Sequence, residues 1–389
     1  MTEPTNKPLD RRRVLGLGLA GLAGATVGGR VGMAAEGPGG GWDGEAVDLA
    51  ATLDQPGWAQ GVAFSADGKT LAAGGGARDG VAPGWITTWE VGTWKHLRTV
   101  DVPAMRVYRL AFAPDGREVV AAGLDESRLI LCKLDSGKCL DLVRRPNTGG
   151  IPMRPVFSPE GKYLLTSNPD EGITLWTTAD WSPAQRLFGT HGEGCEVVID
   201  PRAAWDQFDG RAYALARAGT LFDVRVTGSM PRDVVLPPGA RYVGPPQFGL
   251  ERVRGVDRPW DAKLLRLSPD GRTAALVATA NDGRKGWINT YAVDDEGRFA
   301  ARARIEIDLD AHATYSLAFT PDGRALVAGG GAADKDIRRW DLDNGRALAP
   351  LAGHGSSVVD LATSPGGWLA SAGNADQTVR IWTSRRPAR

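Results

Sequence analysis

The sequence predicts an all-β chain of seven four-stranded units closed into a ring, a β-propeller. Three observations predict it: a turn signal recurring seven times, an aromatic-ended strand about 20 residues after each turn, and a spare apolar strand ahead of the first unit. At 389 residues and 42% apolar composition the chain is long enough for such a core. Its 52 glycines and 25 prolines suit many short strands joined by tight turns.

The turn signal follows a short apolar strand each time. It reads Phe64-Ser65-Ala66-Asp67-Gly68, Phe112-Ala113-Pro114-Asp115-Gly116 and Phe157-Ser158-Pro159-Glu160-Gly161. It returns as Leu267-Ser268-Pro269-Asp270-Gly271, Phe319-Thr320-Pro321-Asp322-Gly323 and Thr363-Ser364-Pro365-Gly366-Gly367. A degenerate copy begins at Ile199-Asp200-Pro201 and reaches Asp209-Gly210 late. Proline presets φ at the first turn position and glycine accepts the positive φ that closes a hairpin. Apolar residues alternate on both sides, as Val62 and Phe64 before the first turn and Leu71 and Ala73 after it.

The third strand ends on tryptophan in four units: Ile86 to Trp89, Ile173 to Trp176, Ile337 to Trp340 and Val379 to Trp382. Weaker copies put Cys132, Phe222 and Tyr291 in that place. Glycine turns such as Asp135-Ser136-Gly137 and Asp343-Asn344-Gly345 lead into a fourth strand. Four strands per unit at this period are the signature of propeller blades.

These units resemble WD40 repeats over nearly everything after residue 46. The last is the most faithful: Gly353-His354 opens it, Ser371 lies in its second strand, Asp376 in the next turn, and Trp382 ends its third strand. The resemblance implies that His354, Ser371, Asp376 and Trp382 form a buried hydrogen-bonded tetrad with a structural role. Such a chain suits groups that each need a partner when buried. Asp170 and Asp334 keep the same six-residue interval before Trp176 and Trp340, while His312 lies closer to its turn than His354 does. Phenylalanine just before the residue that opens the turn favours the WD40 form over Tol-type periplasmic repeats.

The last unit stops after its third strand, whereas Val47, Leu49, Ala51 and Leu53 alternate with polar or small residues before the first. This N-terminal strand is expected to complete the last blade and remove two exposed sheet edges. The propeller is thus expected over 47–384, after a linker at 36–46 and before a tail at 385–389. A long irregular insertion rich in proline, glycine and arginine falls near 228–261, and a second loop at Gly74 to Gly84.

The N-terminus, residues 1–35, resembles a twin-arginine signal peptide. Asp10 takes the polar place, Arg11 and Arg12 the pair, and Val14 and Leu15 the apolar positions. Val14 and Gly16 stand where that pattern favours phenylalanine and lysine. An uncharged stretch from Val14 to Gly29 follows, too short and too mildly apolar for a spanning helix, and Gly32-Met33-Ala34-Ala35 offers small residues for a peptidase. No cysteine near the cut supports a lipid anchor. Removing residues 1–35 leaves a net charge of about −3. The expectation is export to the periplasm or beyond, with membrane contact only through the signal segment.

The remaining chemistry is sparse. Net charge is zero, 46 basic against 46 acidic residues with no basic stripe, which gives a nucleic-acid role no electrostatic support. Cys132 and Cys139 flank a hairpin turn that would set them diagonally, so they and Cys195 are expected as small buried residues, not a bridge. No metal-ligand spacing, nucleophile elbow or paired-histidine helix is present. The Gly74-Gly75-Gly76 run leads into a polar loop and reads as a flexible connection, because a phosphate cradle needs a helix N-terminus. His96 and His191 read as surface residues, and Trp58, Trp205 and Trp260 as lying in or near connections. The expectation is a monomer without catalytic, cofactor or metal site: an exported non-catalytic platform for an unidentified protein or peptide. The alternative is an exported propeller enzyme, lactonase-like or quinoprotein-like, with its site at the central channel. A quinoprotein should carry tryptophan soon after each third-turn glycine, and Gly345 and Gly137 lack it.

Overall fold

The structure, a computed structural model, describes residues 41–42, 47–77, 83–103, 105–123, 128–143, 154–168, 172–187, 195–203, 209–216, 220–227, 247–253, 256, 261–279, 285–308, 316–330 and 335–384. Strand β1 is Val47–Asp54. Blade one is β2 (Trp58–Phe64), β3 (Thr70–Gly76), β4 (Gly84–Glu90) and β5 (His96–Val102). Blade two is β6 (Val107–Phe112), β7 (Glu118–Gly123), β8 (Leu129–Lys133) and β9 (Cys139–Val143). Blade three is β10 (Arg154–Phe157), β11 (Tyr163–Asn168), β12 (Gly172–Thr177) and β13 (Ser182–Leu187). Blade four is β14 (Cys195–Ile199), β15 (Asp209–Ala216), β16 (Leu221–Thr227) and β17 (Gln247–Arg252). Blade five is β18 (Asp261–Leu267), β19 (Thr273–Thr279), β20 (Lys285–Val293) and β21 (Phe299–Asp308). Blade six is β22 (Ser316–Phe319), β23 (Ala325–Gly329), β24 (Ile337–Asp341) and β25 (Ala347–Leu351). Blade seven is β26 (Val358–Thr363), β27 (Trp368–Gly373) and β28 (Thr378–Ser384), completed by β1.

Every sheet is an antiparallel meander, and the first strand of each blade lies beside that of the next around the ring, β26 returning to β2. β1 pairs with β28 from Val47↔Ser384 to Asp54↔Thr378. The N-terminal strand therefore closes the seven-bladed ring as the sequence predicts. The third-strand aromatics share one register: Leu369 faces Trp382 as Leu71 faces Trp89, Leu164 faces Trp176 and Leu326 faces Trp340. Cys132, Phe222 and Tyr291 occupy the same place, opposite Val119, Ala214 and Ala274.

The core lies in the seams between blades, not at one centre. Leu71 and Ala73 of β3 pack against Ala370 and Ile381 of blade seven, while Ala72 between them packs toward Val107 and Val119 of blade two. Side chains alternate along a strand, so a sheet covered on both faces is apolar at every position, which explains the continuous runs in the second strands.

The turns follow the predicted hairpin logic. Ser65 Oγ donates to Asp67 Oδ1 and accepts from the Thr70 N–H, and Gly68 closes the turn at φ 69°. Blades two, five and six also place glycine in the left-handed region in the turn before the fourth strand, at Gly137, Gly297 and Gly345. Blades one and three put Trp94 (φ 57°) and Trp181 (φ 55°) in that region, blade one alongside Gly92 (φ 93°) in the same turn. Each indole finds an edge-to-face partner, Trp94 on Trp368 of blade seven and Trp181 on Phe157, which offsets part of the backbone strain.

Four expectations need correction. Cys132 and Cys139 are bonded as a disulfide; they face each other directly across β8 and β9, with Cα atoms 4.1 Å apart, not diagonally. The Lys133 N–H to Lys138 carbonyl bond closes the hairpin one residue nearer the turn and sets this register. Gly74-Gly75-Gly76 is no flexible connection: all three are buried in β3, where a Cβ on Gly74 would overlap Val107 and Leu110 of blade two. Asp209-Gly210 begins β15 and closes no turn; at the turn itself Asp200 replaces serine and accepts from the Arg202 N–H. Finally, within the stretch read as irregular, Gln247–Arg252 is the fourth strand of blade four.

Candidate functional site

Blade seven brings His354, Ser371, Asp376 and Trp382 together. Trp382 Nε1 donates to Ser371 Oγ at 2.9 Å, Ser371 Oγ lies 2.7 Å from His354 Nε2, and His354 Nδ1 lies 2.8 Å from Asp376 Oδ2. The Gly355 N–H also reaches Asp376 Oδ2, and Thr378 donates its N–H and hydroxyl to Asp376 Oδ1. Burial alone raises the Asp376 carboxyl, but the bond and charge of His354 and these donors together bring it down to about 2. Gly373 leaves the necessary space, because a Cβ there would overlap both Asp376 and His354.

Hydroxyl, imidazole and carboxylate follow the order of a nucleophile, base and orienting group. Ser371 has no exposed surface, however, and the indole N–H occupies its oxygen. A substrate has no path to it, so the arrangement works as a brace between β27, β28 and the loop carrying His354.

Blade three keeps one link of this chain, with Trp176 Nε1 donating to Thr166 Oγ1 at 2.9 Å. Ala73 and Ala328 occupy the matching place in blades one and six, so no such bond is made to Trp89 or Trp340 there. Asp170, Asp334, His191, His312, Trp205 and Trp260 lie outside the described residues. His96 is exposed on β5, its Nε2 3.0 Å from Thr99 Oγ1, and Trp58 is half-buried at the start of β2.

The central channel encloses about 780 Å³ and is walled by the first strands of all seven blades. Its lining is largely alanine, valine, phenylalanine and proline, with Arg109, Arg266 and Asp360 as its charged members. Just before each turn aromatic or its equivalent stands a residue that lines the channel: Ala63, Ala111, Val156, Val198, Ala318 and Ala362, but Arg266 in blade five. Arg266 turns back instead, its Nη1 donating to Glu196 Oε1 and to the Leu265 carbonyl. Glu196 also accepts the Leu265 N–H of the following blade. Asp360 repeats the pattern, taking the Val62 N–H of blade one at 3.1 Å with Arg109 at 3.9 Å. Both carboxylates thus clasp one inner strand to the next. Sequence reading missed them because Glu196 and Asp360 sit in unrelated local sequences and share only a place in the ring. It equally missed Trp42, whose side chain is fully buried.

The fold is a seven-bladed β-propeller, and its last two blades carry a match to WD40 repeats. The WD domain, G-beta repeat family matches residues 304–341 and 345–383, which run from the end of blade five through blade seven. Protein groucho of Drosophila melanogaster is 32% identical over 125 residues, 32% of this chain and 16% of that protein. The intraflagellar transport protein 122 homolog is 38% identical over 71 residues in both Xenopus tropicalis and Mus musculus, 18% of this chain and 6% of theirs. The chain therefore spans well under a fifth of these relatives. The crystal structure of the Myceliophteria thermophila Cps50 (Swd1) β-propeller domain is similar in fold, with a TM-score of 0.63 at 17% identity, over 87% of this chain and 99% of that one.

Proposed function

We propose that this protein is an exported, non-catalytic propeller that presents its faces to another protein or to a peptide. WD40 propellers are typical protein-interaction scaffolds, and the channel chemistry supports the same role here. The observation that carries the reading is the use made of Glu196 and Asp360. Each accepts a backbone N–H from the next blade and has an arginine within 4.0 Å, which supports a structural role for these carboxylates in holding the ring. Fixing the blades in this way gives surface loops a rigid frame on which to bind.

Export is supported by two independent features, the Arg11-Arg12 signature and the Cys132–Cys139 disulfide. Disulfides persist in oxidising compartments and are rare where thiols are kept reduced. The twin-arginine route carries folded chains, so the ring closes before transport and the bridge forms beyond the membrane. Arg11→Lys with Arg12→Lys is expected to retain the precursor inside the cell with both thiols open to alkylation. Export of that variant at wild-type level removes the proposed route.

Cross-linked capture from the exported fraction, with the folded wild-type chain as bait, tests the binding role. Enrichment of a protein or peptide that is lost on altering one propeller face is the expected result. Turnover of a small molecule abolished by Asp360→Asn, with the fold intact, overturns the non-catalytic reading.

A further inference from the structure

Gly41 and Trp42 stand ahead of the strand that closes the ring, in a stretch the sequence reads as linker. Trp42 is nevertheless 1% exposed. Its side chain packs among Val327, Ile337 and Leu351 of blade six and Leu361, Leu369 and Trp382 of blade seven. Its backbone is held on both sides. The Trp42 N–H donates to Asp322 Oδ2 at 2.9 Å, and the Trp42 carbonyl accepts from Nη1 of the buried Arg339 at 3.3 Å.

Asp322 has an oxygen available because of the turn it belongs to. Its Oδ1 accepts from the Thr320 hydroxyl and the Arg324 N–H, as Oδ1 of Asp67 and of Asp270 does in blades one and five. In blade six the second oxygen, Oδ2, receives Trp42. A side-chain pocket combined with a donor and an acceptor for one residue's backbone is how extended peptides are recognised.

We propose that the seam between blades six and seven is a peptide slot for a tryptophan, filled in cis by Trp42, and that filling it latches the ring beside the β1–β28 closure. β1 ties the chain ends within blade seven, whereas Trp42 fastens blade seven to blade six. The slot reads an indole and its flanking amides, so a free tryptophan peptide is a ligand for it once Trp42 is removed.

The test uses the full chain with Trp42→Ala, followed by hydrogen exchange and mass spectrometry. Exchange in β22–β24 and β26–β28 is expected to rise about a hundredfold or more, the order expected from truncating a buried tryptophan. β7 and β11, in blades two and three, are expected to keep their rates. Adding an N-acetylated, C-amidated peptide of residues 38–44 restores protection in a saturable manner, while the same peptide with alanine for tryptophan does not. Asp322→Asn retains Oδ1 for the turn, disturbs the contact to the Trp42 N–H, and is expected to raise exchange in the same strands more modestly. It also serves if Trp42→Ala fails to fold. Unchanged exchange in blades six and seven overturns the latch, and increased exchange that saturating peptide leaves unrestored overturns the slot.

Discussion

The hydroxyl of Ser371 receives the Trp382 N–H and lies against His354, with no accessible surface of its own. Ser371→Ala leaves an indole donor and an imidazole nitrogen without partners in a buried place. Chemical denaturation should report a loss of about 2–4 kcal/mol, larger than for a lone hydrogen bond. Trp382→Phe keeps most of the ring contact and removes one donor, for a smaller loss of about 1–2 kcal/mol. The two losses should not add in the double variant, since both act on one chain of bonds. Asp376 supplies the pH dependence. Its folded carboxyl lies at about 2, below the unfolded value of 3.8, so its stabilisation is present above pH 3.8 and disappears as pH falls toward 2. Unfolding curves for wild type and Asp376→Asn should differ by about 1–2 kcal/mol near neutrality and converge on acidification through that window. A gap that stays constant to pH 2 removes Asp376 as its source.

Single elements depart from the repeat where their sequences do. In blade two the place of the third-strand tryptophan is taken by Cys132, and the disulfide to Cys139 joins β8 to β9. The closed loop is short, so the chain-entropy gain is limited to about 2 kcal/mol. Reductant should lower the unfolding free energy of wild type by that amount and leave Cys132→Ser with Cys139→Ser unaffected. Blade four departs further: Tyr213, Asp200 and Arg202 form a polar seam to blade five, where Arg202 reaches the Val293 carbonyl. Burial raises the Tyr213 hydroxyl, which therefore stays protonated as a donor to Asp200. Much of this was legible in the sequence. Proline and glycine set turn dihedrals locally, so hairpins were readable at Phe64 to Gly68 and its copies. The bridge was not, because one residue of register separates a diagonal pair from a facing one.

For the whole molecule, stability depends on a ring whose ends meet. Leu53 on β1 is buried in the seam between blades seven and one. Leu53→Ala should cost about 2–4 kcal/mol and speed hydrogen exchange first in β28, the strand that β1 covers. Equal acceleration in every blade would show instead that the ring unfolds as one unit from any point.

The sequence by itself determined the repeat, the blade count and the strand that closes the ring, which follow from local dihedral preferences and period-two patterning. The four members of the tetrad came instead from the resemblance of the last unit to WD40 repeats. Tertiary structure alone decided how the carboxylates of Glu196 and Asp360 are used, why Gly74 to Gly76 carry no side chains, and where Trp42 goes. Those outcomes depend on residues of neighbouring blades, tens to hundreds of positions apart, meeting across a seam, and no local pattern encodes which side chain will face them.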